Sequence, residues 1–183
     1  CKEIRKDFVV GLSGECADEL FAGYPWFTHE EMINANTFPW SRSVGERKTI
    51  LNDNLKNIKI EELTNEEYLK TLLSGISEVY DTKKIIALKE VPHLDNEDKK
   101  TYRMRELFYL NLKWFMVNLL NRKDRSSMYN SLEVRVPFAD YRIVDYAFNL
   151  PVDVKLLEGR EKGLLRKALV GILPEEIVYR KKS

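Results

Sequence analysis

The sequence has little of several features that mark particular classes of protein. Its two cysteines, Cys1 and Cys16, show no C-x-x-C or zinc-ligand spacing, which favours a reduced, cytoplasmic protein over a disulfide scaffold or a zinc domain. With 30 basic and 29 acidic residues, the chain has no net field to attract nucleic acid or an anionic membrane. The longest mostly apolar run, residues 111–120, is too short to span a bilayer. We therefore expect no nucleic-acid partner and no membrane partner.

The composition that remains is that of a helix-rich globular protein, with 44% hydrophobic and 32% charged residues. A chain of 183 residues fits one ordinary domain and can bury a real core. It opens on Cys1 rather than Met and stops at Ser183 without a terminating element. We therefore expect residues 1–183 to be a single domain portion that is truncated at both ends.

The hydrophobic pattern predicts mostly helices and one strand. Residues 8–12 form an apolar run without polar alternation, which predicts a short strand buried on both faces, as in a parallel α/β sheet. The strongest helix is predicted from Asp98 to about Leu120, with Val117 on its apolar side. Alternation over residues 132–136 indicates an extended segment. The helices are expected to pack on a sheet whose other strands precede residue 1.

The first motif with chemical content is G-L-S-G-E-C-A-D-E-L-F, at residues 11–21. Ser13 and Gly14 offer a hydroxyl and uncovered backbone N–H groups at the end of the predicted strand, where an adenylate fits closely. Three carboxylates follow within five positions: Glu15, Asp18 and Glu19. Carboxylates beside a phosphate require a bridging cation, for which Mg²⁺ is the obvious choice. The alternative is a helix start at which acidic residues favour the helix dipole.

Two further motifs are rich in charge. Residues 121–140 include Arg122, Asp124 and Arg125 between apolar segments, and half-buried charges there should be paired. They fit either an ion-pair network or a site for a carboxylate or phosphate. Lys162 begins a predicted helix, where the dipole opposes a cation, so it needs another reason to be there. A basic terminal loop at residues 180–183 fits either surface solubility or a clamp for leaving pyrophosphate.

Taken together, the three motifs resemble the glutamine-hydrolysing asparagine synthetase family. The matching patterns are S-G-E-x-A-D-E-L-F-x-G-Y, D-R-x-S-M-x-x-S-L-E-V-R-V-P-F-x-D, K-x-x-L-R-K-A and a final R-K-K-S. The resemblance implies the C-terminal part of the synthetase domain, a mostly α-helical portion of an α/β adenine-nucleotide-binding fold of the ATP-pyrophosphatase type. It also implies an N-terminal glutaminase domain elsewhere in the parent chain.

The resemblance implies roles for residues of the first motif. Ser13 and Gly14 match the family's ATP-contacting pair, and Glu15 matches a glutamate that lines the aspartyl-adenylate pocket. Asp18 matches an acidic residue associated with Mg²⁺. The family usually has Gly where this chain has Cys16, which alters the freedom of the turn.

It also implies roles for the basic residues. Lys162 and Lys182 match catalytic residues near the phosphates, and Lys182 is the better candidate for assisting adenylation. Arg122 and Asp124 fall in the charged segment of the pattern, where they are expected to contact the nucleotide.

The implied reaction converts aspartate to asparagine with ATP, Mg²⁺ and ammonia from glutamine, through β-aspartyl-AMP. The family's S-G-G-x-D-S pyrophosphate loop is not in this sequence, so residues 1–183 alone are expected to be inactive. A homodimer is a further expected partnership. Two other readings remain open: a related adenylating amide-former, such as a β-lactam synthetase or a surface-sugar amidotransferase, and a non-catalytic helical interaction domain.

Overall fold

The computed structural model of the chain describes residues 1–41, 44–73 and 90–181, and these residues are mostly helical. In chain order, the α-helices of these ranges are α1 Lys2–Arg5, α2 Ala17–Leu20, α3 Glu30–Ile33, α4 Val44–Lys48, α5 Ile60–Leu73, α6 Lys99–Leu110, α7 Val117–Met128, α8 Tyr141–Asn149, α9 Val152–Lys155, α10 Gly163–Leu169 and α11 Glu175–Val178. Within these ranges, every helix is too short or too polar to cross a membrane.

The chain divides into two compact units. We call Cys1–Tyr24 with Trp114–Ser183 the terminal unit, and Pro25–Lys113 the central unit. The motifs singled out in the sequence all fall in the terminal unit, so this unit carries the candidate site.

A small parallel sheet lies in the terminal unit. Strand β1, Val10–Leu12, pairs with strand β2, Glu133–Arg135, and Gly11 lies opposite Val134. The Ser13 N–H extends the ladder by donating to the Arg135 carbonyl at 3.0 Å. Because parallel strands end at the same edge of a sheet, the turn after β1 and the segment after β2 emerge side by side.

The strand predicted over residues 8–12 exists, but it is not buried. It begins at Val10, and Phe8 and Leu12 are 63% and 76% exposed. Burial of both faces needs a layer of helices on each side of the sheet, and among the described residues this sheet has two strands with open faces. The apolar run therefore indicated a strand correctly and its burial wrongly. The prediction of one strand is also wrong, since the alternating residues 132–136 supply β2.

The helix predicted from Asp98 to about Leu120 is interrupted and longer. Asp98 caps the start of α6, and a π-helical turn, Asn111–Met116, joins α6 to α7. The buried Asn111 amide donates to the Leu107 carbonyl at 2.8 Å, and a side chain that enters the backbone ladder commonly accompanies such a turn. The π turn shifts the helical register, so Val117 is 54% exposed although it was predicted on the apolar side.

The core of the central unit is held by aromatic packing and one buried polar cluster. Phe27 stacks on Phe108 with ring centroids 4.3 Å apart. The buried Tyr68 hydroxyl donates to Glu106 Oε1 at 2.8 Å and accepts from the Arg103 guanidinium, which also binds the Glu106 carboxylate directly. Tyr68 thus connects α5 to α6 through a hydroxyl that is out of reach of solvent.

Replacing Tyr68 with Phe should lower the free energy of unfolding by about 1 to 2 kcal/mol, because the buried Glu106 and the half-buried Arg103 each lose a hydrogen-bond partner. Urea denaturation followed by circular dichroism measures this change. Tyr129→Phe is the matched control, since Tyr129 is 90% exposed and its hydroxyl faces water. Equal losses in the two variants would contradict the assignment.

Candidate functional site

The turn after β1 is shaped by its own backbone and by Ser13. The Glu15 N–H donates to Ser13 Oγ at 3.3 Å, which closes a tight turn at the end of the strand. An added Cβ at Gly14 would meet no atom within 4 Å, so the space above this exposed backbone is open. The turn therefore presents a backbone surface that a ligand can approach closely.

Cys16 ends this turn in a left-handed conformation, with φ 77°. Glycine adopts this conformation without steric cost, whereas other residues pay roughly 1 kcal/mol or more. The Cys16 side chain is buried at 3% exposure, and it makes no hydrogen bond that caps α2. The turn thus places a cysteine in a backbone conformation that favours glycine.

Glu15 faces a lysine from α7. Lys123 Nζ lies 3.5 Å from Glu15 Oε2, and the two side chains are 14% and 31% exposed. Both atoms are shielded from solvent, and neither has a conventional hydrogen-bond partner. The pair is therefore held by charge attraction at the limit of hydrogen-bond length.

Asp18 faces a lysine from the other end of the terminal unit. Lys162 Nζ lies 3.1 Å from Asp18 Oδ1, with the side chains 23% and 26% exposed. Gly23 packs directly on Asp18, and its N–H donates to the Asp18 carbonyl at 2.8 Å. A Cβ on Gly23 would lie 2.6 Å from Asp18 Cγ and 2.8 Å from its Cα, so only glycine fits there.

Lys162 is placed by its backbone. It precedes α10 in a left-handed conformation, with φ 56°, and its N–H donates to the Phe21 carbonyl at 3.1 Å. The ion pair with Asp18 supplies the reason for a cation at this helix start, which the helix dipole alone opposes. The structure therefore brings two sequence-predicted residues, Asp18 and Lys162, into direct contact.

A groove of about 370 Å³ opens beside Lys162. Apolar side chains of α10 and α11 form much of its lining. Four basic residues complete it: Lys162, Arg166, Arg180 and Lys181. A cleft of this composition suits an anion that carries an apolar or aromatic group.

The remaining predicted residues lie differently. Arg122 and Asp124 are exposed on α7, on either side of Lys123, and neither needs the pairing expected of half-buried charges. Lys182 lies outside the described residues. The prediction of its role therefore stays a prediction.

Sequence reasoning missed Lys123 and Gly23. Lys123 carried no signal that separated it from its charged neighbours Arg122 and Asp124, since spacing along the chain does not show which of them is turned toward Glu15. Gly23 had a clearer signal, since it lies within the first motif and glycine permits a close approach that a Cβ would block. Both residues act through contacts with partners that the motif itself contains.

The donor set bears on the expected Mg²⁺. In residues 1–41, 44–73 and 90–181, no group of three or more His, Cys, Asp or Glu side chains is arranged to hold a metal ion. Mg²⁺ at phosphate sites is bound by one or two carboxylates together with phosphate oxygens and water. Asp18, a partly exposed carboxylate beside the open turn, fits as one ligand of such a shared site.

Gly23→Ala should destabilise the protein by about 1 to 3 kcal/mol, because the new methyl group meets the Asp18 backbone and cannot be relieved by a rotamer change alone. Thermal unfolding measures the loss. Gly14→Ala is the matched control, since its methyl group enters open space and should change stability by less than about 1 kcal/mol. A Gly23→Ala protein as stable as the control would rule out the tight packing.

Cys16 should resist thiol reagents in the native protein. Burial, together with the carboxylates of Glu19 and Glu15, raises the pKa of the Cys16 thiol to about 12, and the thiolate is the reactive form. Near neutral pH, a thiol reagent should modify the exposed Cys1 and reach Cys16 only after unfolding. Counting modified thiols in the native Cys1→Ser protein tests this, and rapid native labelling of Cys16 would be the opposite result.

The chain is similar to asparagine synthetases over its whole length. The asparagine synthase family model matches residues 1–183. The chain is 52% identical to asparagine synthetase [glutamine-hydrolyzing] 3 of Bacillus subtilis over 184 residues, which is 100% of this chain and 27% of that protein. It is 32% identical to asparagine synthetase [glutamine-hydrolyzing] 1 of the same organism, over 99% of this chain and 31% of that protein.

A shorter match is to a mouse protein. The chain is 42% identical to the Mus musculus asparagine synthetase [glutamine-hydrolyzing] over 65 residues, 34% of this chain and 12% of that protein. The chain thus spans about a quarter to a third of the length of the two Bacillus relatives. The full-length match to the family model and these identities lead to one conclusion: the chain belongs to the asparagine synthase family.

Proposed function

We propose that this chain is the C-terminal part of the synthetase domain of a glutamine-hydrolysing asparagine synthetase. The proposed protein converts aspartate to asparagine in the cytoplasm, with ATP, Mg²⁺ and ammonia released from glutamine by an N-terminal glutaminase domain. The observation that carries the proposal is the turn after β1. There two carboxylates, Glu15 and Asp18, each face a lysine supplied by a distant segment.

This pairing of carboxylates with lysines suits adenylation of a carboxylate. A carboxylate is a poor acyl donor at neutral pH, so its oxygen must first attack the α-phosphorus of ATP and expel pyrophosphate. Ammonia then attacks the acyl carbon of the resulting β-aspartyl-AMP and displaces AMP. The first step gathers negative charge on the leaving group, and preorganised cations stabilise that charge more in the transition state than in the ground state.

The described residues divide this work by position. Ser13 and Gly14 lie at the open turn, where backbone N–H groups can approach the nucleotide. Glu15, held by Lys123, lines the proposed pocket for the aspartyl-adenylate. Asp18 would hold Mg²⁺ together with phosphate oxygens and water, and the ion would supply positive charge beside the polyphosphate.

The basic residues are proposed to bind the leaving pyrophosphate. Lys162 lies at Asp18 and lines the basic groove, so its amine can turn from the carboxylate to a phosphate with little movement of the backbone. Lys182 is proposed to assist adenylation directly. Arg122 and Asp124, exposed on α7, are proposed to contact the nucleotide from the solvent side. A homodimer is the proposed assembly.

The full-length protein that contains this chain should release pyrophosphate from ATP only when aspartate is present, and should form asparagine from glutamine or ammonia. A coupled pyrophosphate assay with chromatographic detection of asparagine measures both. Residues 1–183 alone are the negative control and should be inactive. Pyrophosphate release that depends on a different carboxylate, or no release at all, would refute the proposal.

Lys182→Ala in the same protein should lower kcat for pyrophosphate release by roughly a hundredfold or more, with a smaller effect on KM for ATP, since the lost contact strengthens as charge builds. Lys100→Ala is the matched control, because Lys100 is exposed on α6 in the central unit. Unchanged kcat for Lys182→Ala at saturating ATP and aspartate would remove this residue from the mechanism.

A further inference from the structure

Three consecutive backbone carbonyls at the end of α11 are bound by two arginines. The Arg166 guanidinium donates to the carbonyl of Val178, and also to that of Arg180 at 3.0 Å. Arg160 Nη2 donates to the intervening carbonyl of Tyr179 at 3.3 Å. We call this arrangement of Arg160 and Arg166 on residues 178–180 the carbonyl clamp.

Arg166 is itself held firmly. Its Nε donates to the Glu161 carbonyl at 3.0 Å, and its Nη2 lies 3.6 Å from Glu161 Oε1. Its side chain is 13% exposed, so these contacts lie largely out of water. One planar guanidinium therefore joins residue 161, at the approach to α10, to two carbonyls beyond α11.

Arg160 adds a second type of contact. Its guanidinium carbon lies 5.3 Å from the centre of the Tyr179 ring, a cation–π distance, while its Nη2 binds the carbonyl of the same residue. The two arginines thus grip both the backbone and the side chain of this short segment.

The segment needs such support. α11 has four residues, and a helix of that length is not stable by its own hydrogen bonds. Its last carbonyls have no partners within the helix, and arginine side chains commonly satisfy them. Lysine could not replace Arg166, because a single ammonium lacks the planar set of donors that reaches three carbonyls in two directions.

The position of the clamp relates it to the basic groove. Lys181 follows the clamped carbonyls directly and lines the groove together with Lys162. A rigid hold on residues 178–180 therefore sets where Lys181 lies at the groove.

We propose that Arg160 and Arg166 are positioning residues, which fix residues 178–181 so that the Lys181 cation at the basic groove meets the leaving group. This rests on the proposed function. It assigns to Arg166 a role through another residue, since its donors are occupied by carbonyls and not by a ligand.

The first test needs no catalytic activity. In the full-length protein, Arg166→Lys should increase the rate of tryptic cleavage at residues 180–182 several-fold, measured by mass spectrometry, because cleavage follows the fraction of time that a segment is open. Arg160→Gln should give a smaller increase, since it removes one carbonyl contact. Lys167→Gln, the exposed neighbour on α10, is the control and should leave the rate unchanged. Cleavage of Arg166→Lys at the wild-type rate overturns the clamp.

The second test is a double-mutant cycle on aspartate-dependent pyrophosphate release. Arg166→Lys should lower kcat by up to about a hundredfold with little change in KM for ATP, as expected from a misplaced catalytic group. The Arg166→Lys, Lys181→Ala double variant should be no slower than Lys181→Ala alone. Effects that multiply would mean that Arg166 acts independently and would overturn the positioning role. If the protein shows no such release, the proposed function fails, and the cleavage test still decides whether the clamp exists.

Discussion

The hydrogen bond from the Lys162 N–H to the Phe21 carbonyl is the constraint on which the candidate site depends. It ties the end of α2 to the start of α10, and so places a lysine amine beside Asp18. Gly163 makes this junction possible, since a Cβ there would lie 2.6 Å from the Leu157 backbone nitrogen. The ion pair and the basic groove both include Lys162, the residue that this bond fixes. A backbone bond suits that task because it does not depend on the state of any side chain.

Strain accumulates around the same join. Cys16, Ala22 and Lys162 all have positive φ, at 77°, 55° and 56°, although none of them is glycine. Such conformations persist where the surroundings over-determine them, and they concentrate at sites of function. At Lys162 the reason is visible, because glycine would relax the backbone but remove the cation that pairs with Asp18. At Cys16 the buried thiol supplies no comparable ion pair, and nothing in the structure explains why a cysteine rather than a glycine stands there.

Sequence patterns predicted the features that depend on neighbouring residues in the chain. They failed for features that depend on tertiary contacts. The motif at residues 11–21 located Glu15 and Asp18, and the apolar run and the alternating segment located β1 and β2. The burial of β1 was predicted wrongly, because burial depends on what covers a sheet and not on the strand's own residues. Lys123 was missed for a related reason. Tertiary packing determines which residue pairs with Glu15, and spacing along the chain does not encode that packing.

The π turn at Asn111–Met116 has a consequence for comparing this chain with its relatives. A π turn changes the helical repeat, so the residues of α7 are offset around the helix axis from the positions that regular α-helical spacing counted from α6 predicts. Spacing counted from α6 therefore does not identify which residues of α7 share the face of Lys123. Whether two charged residues of α7 are equivalent in this chain and a relative therefore depends on their angular positions around the helix axis. An alignment scored by residue identity does not measure those positions.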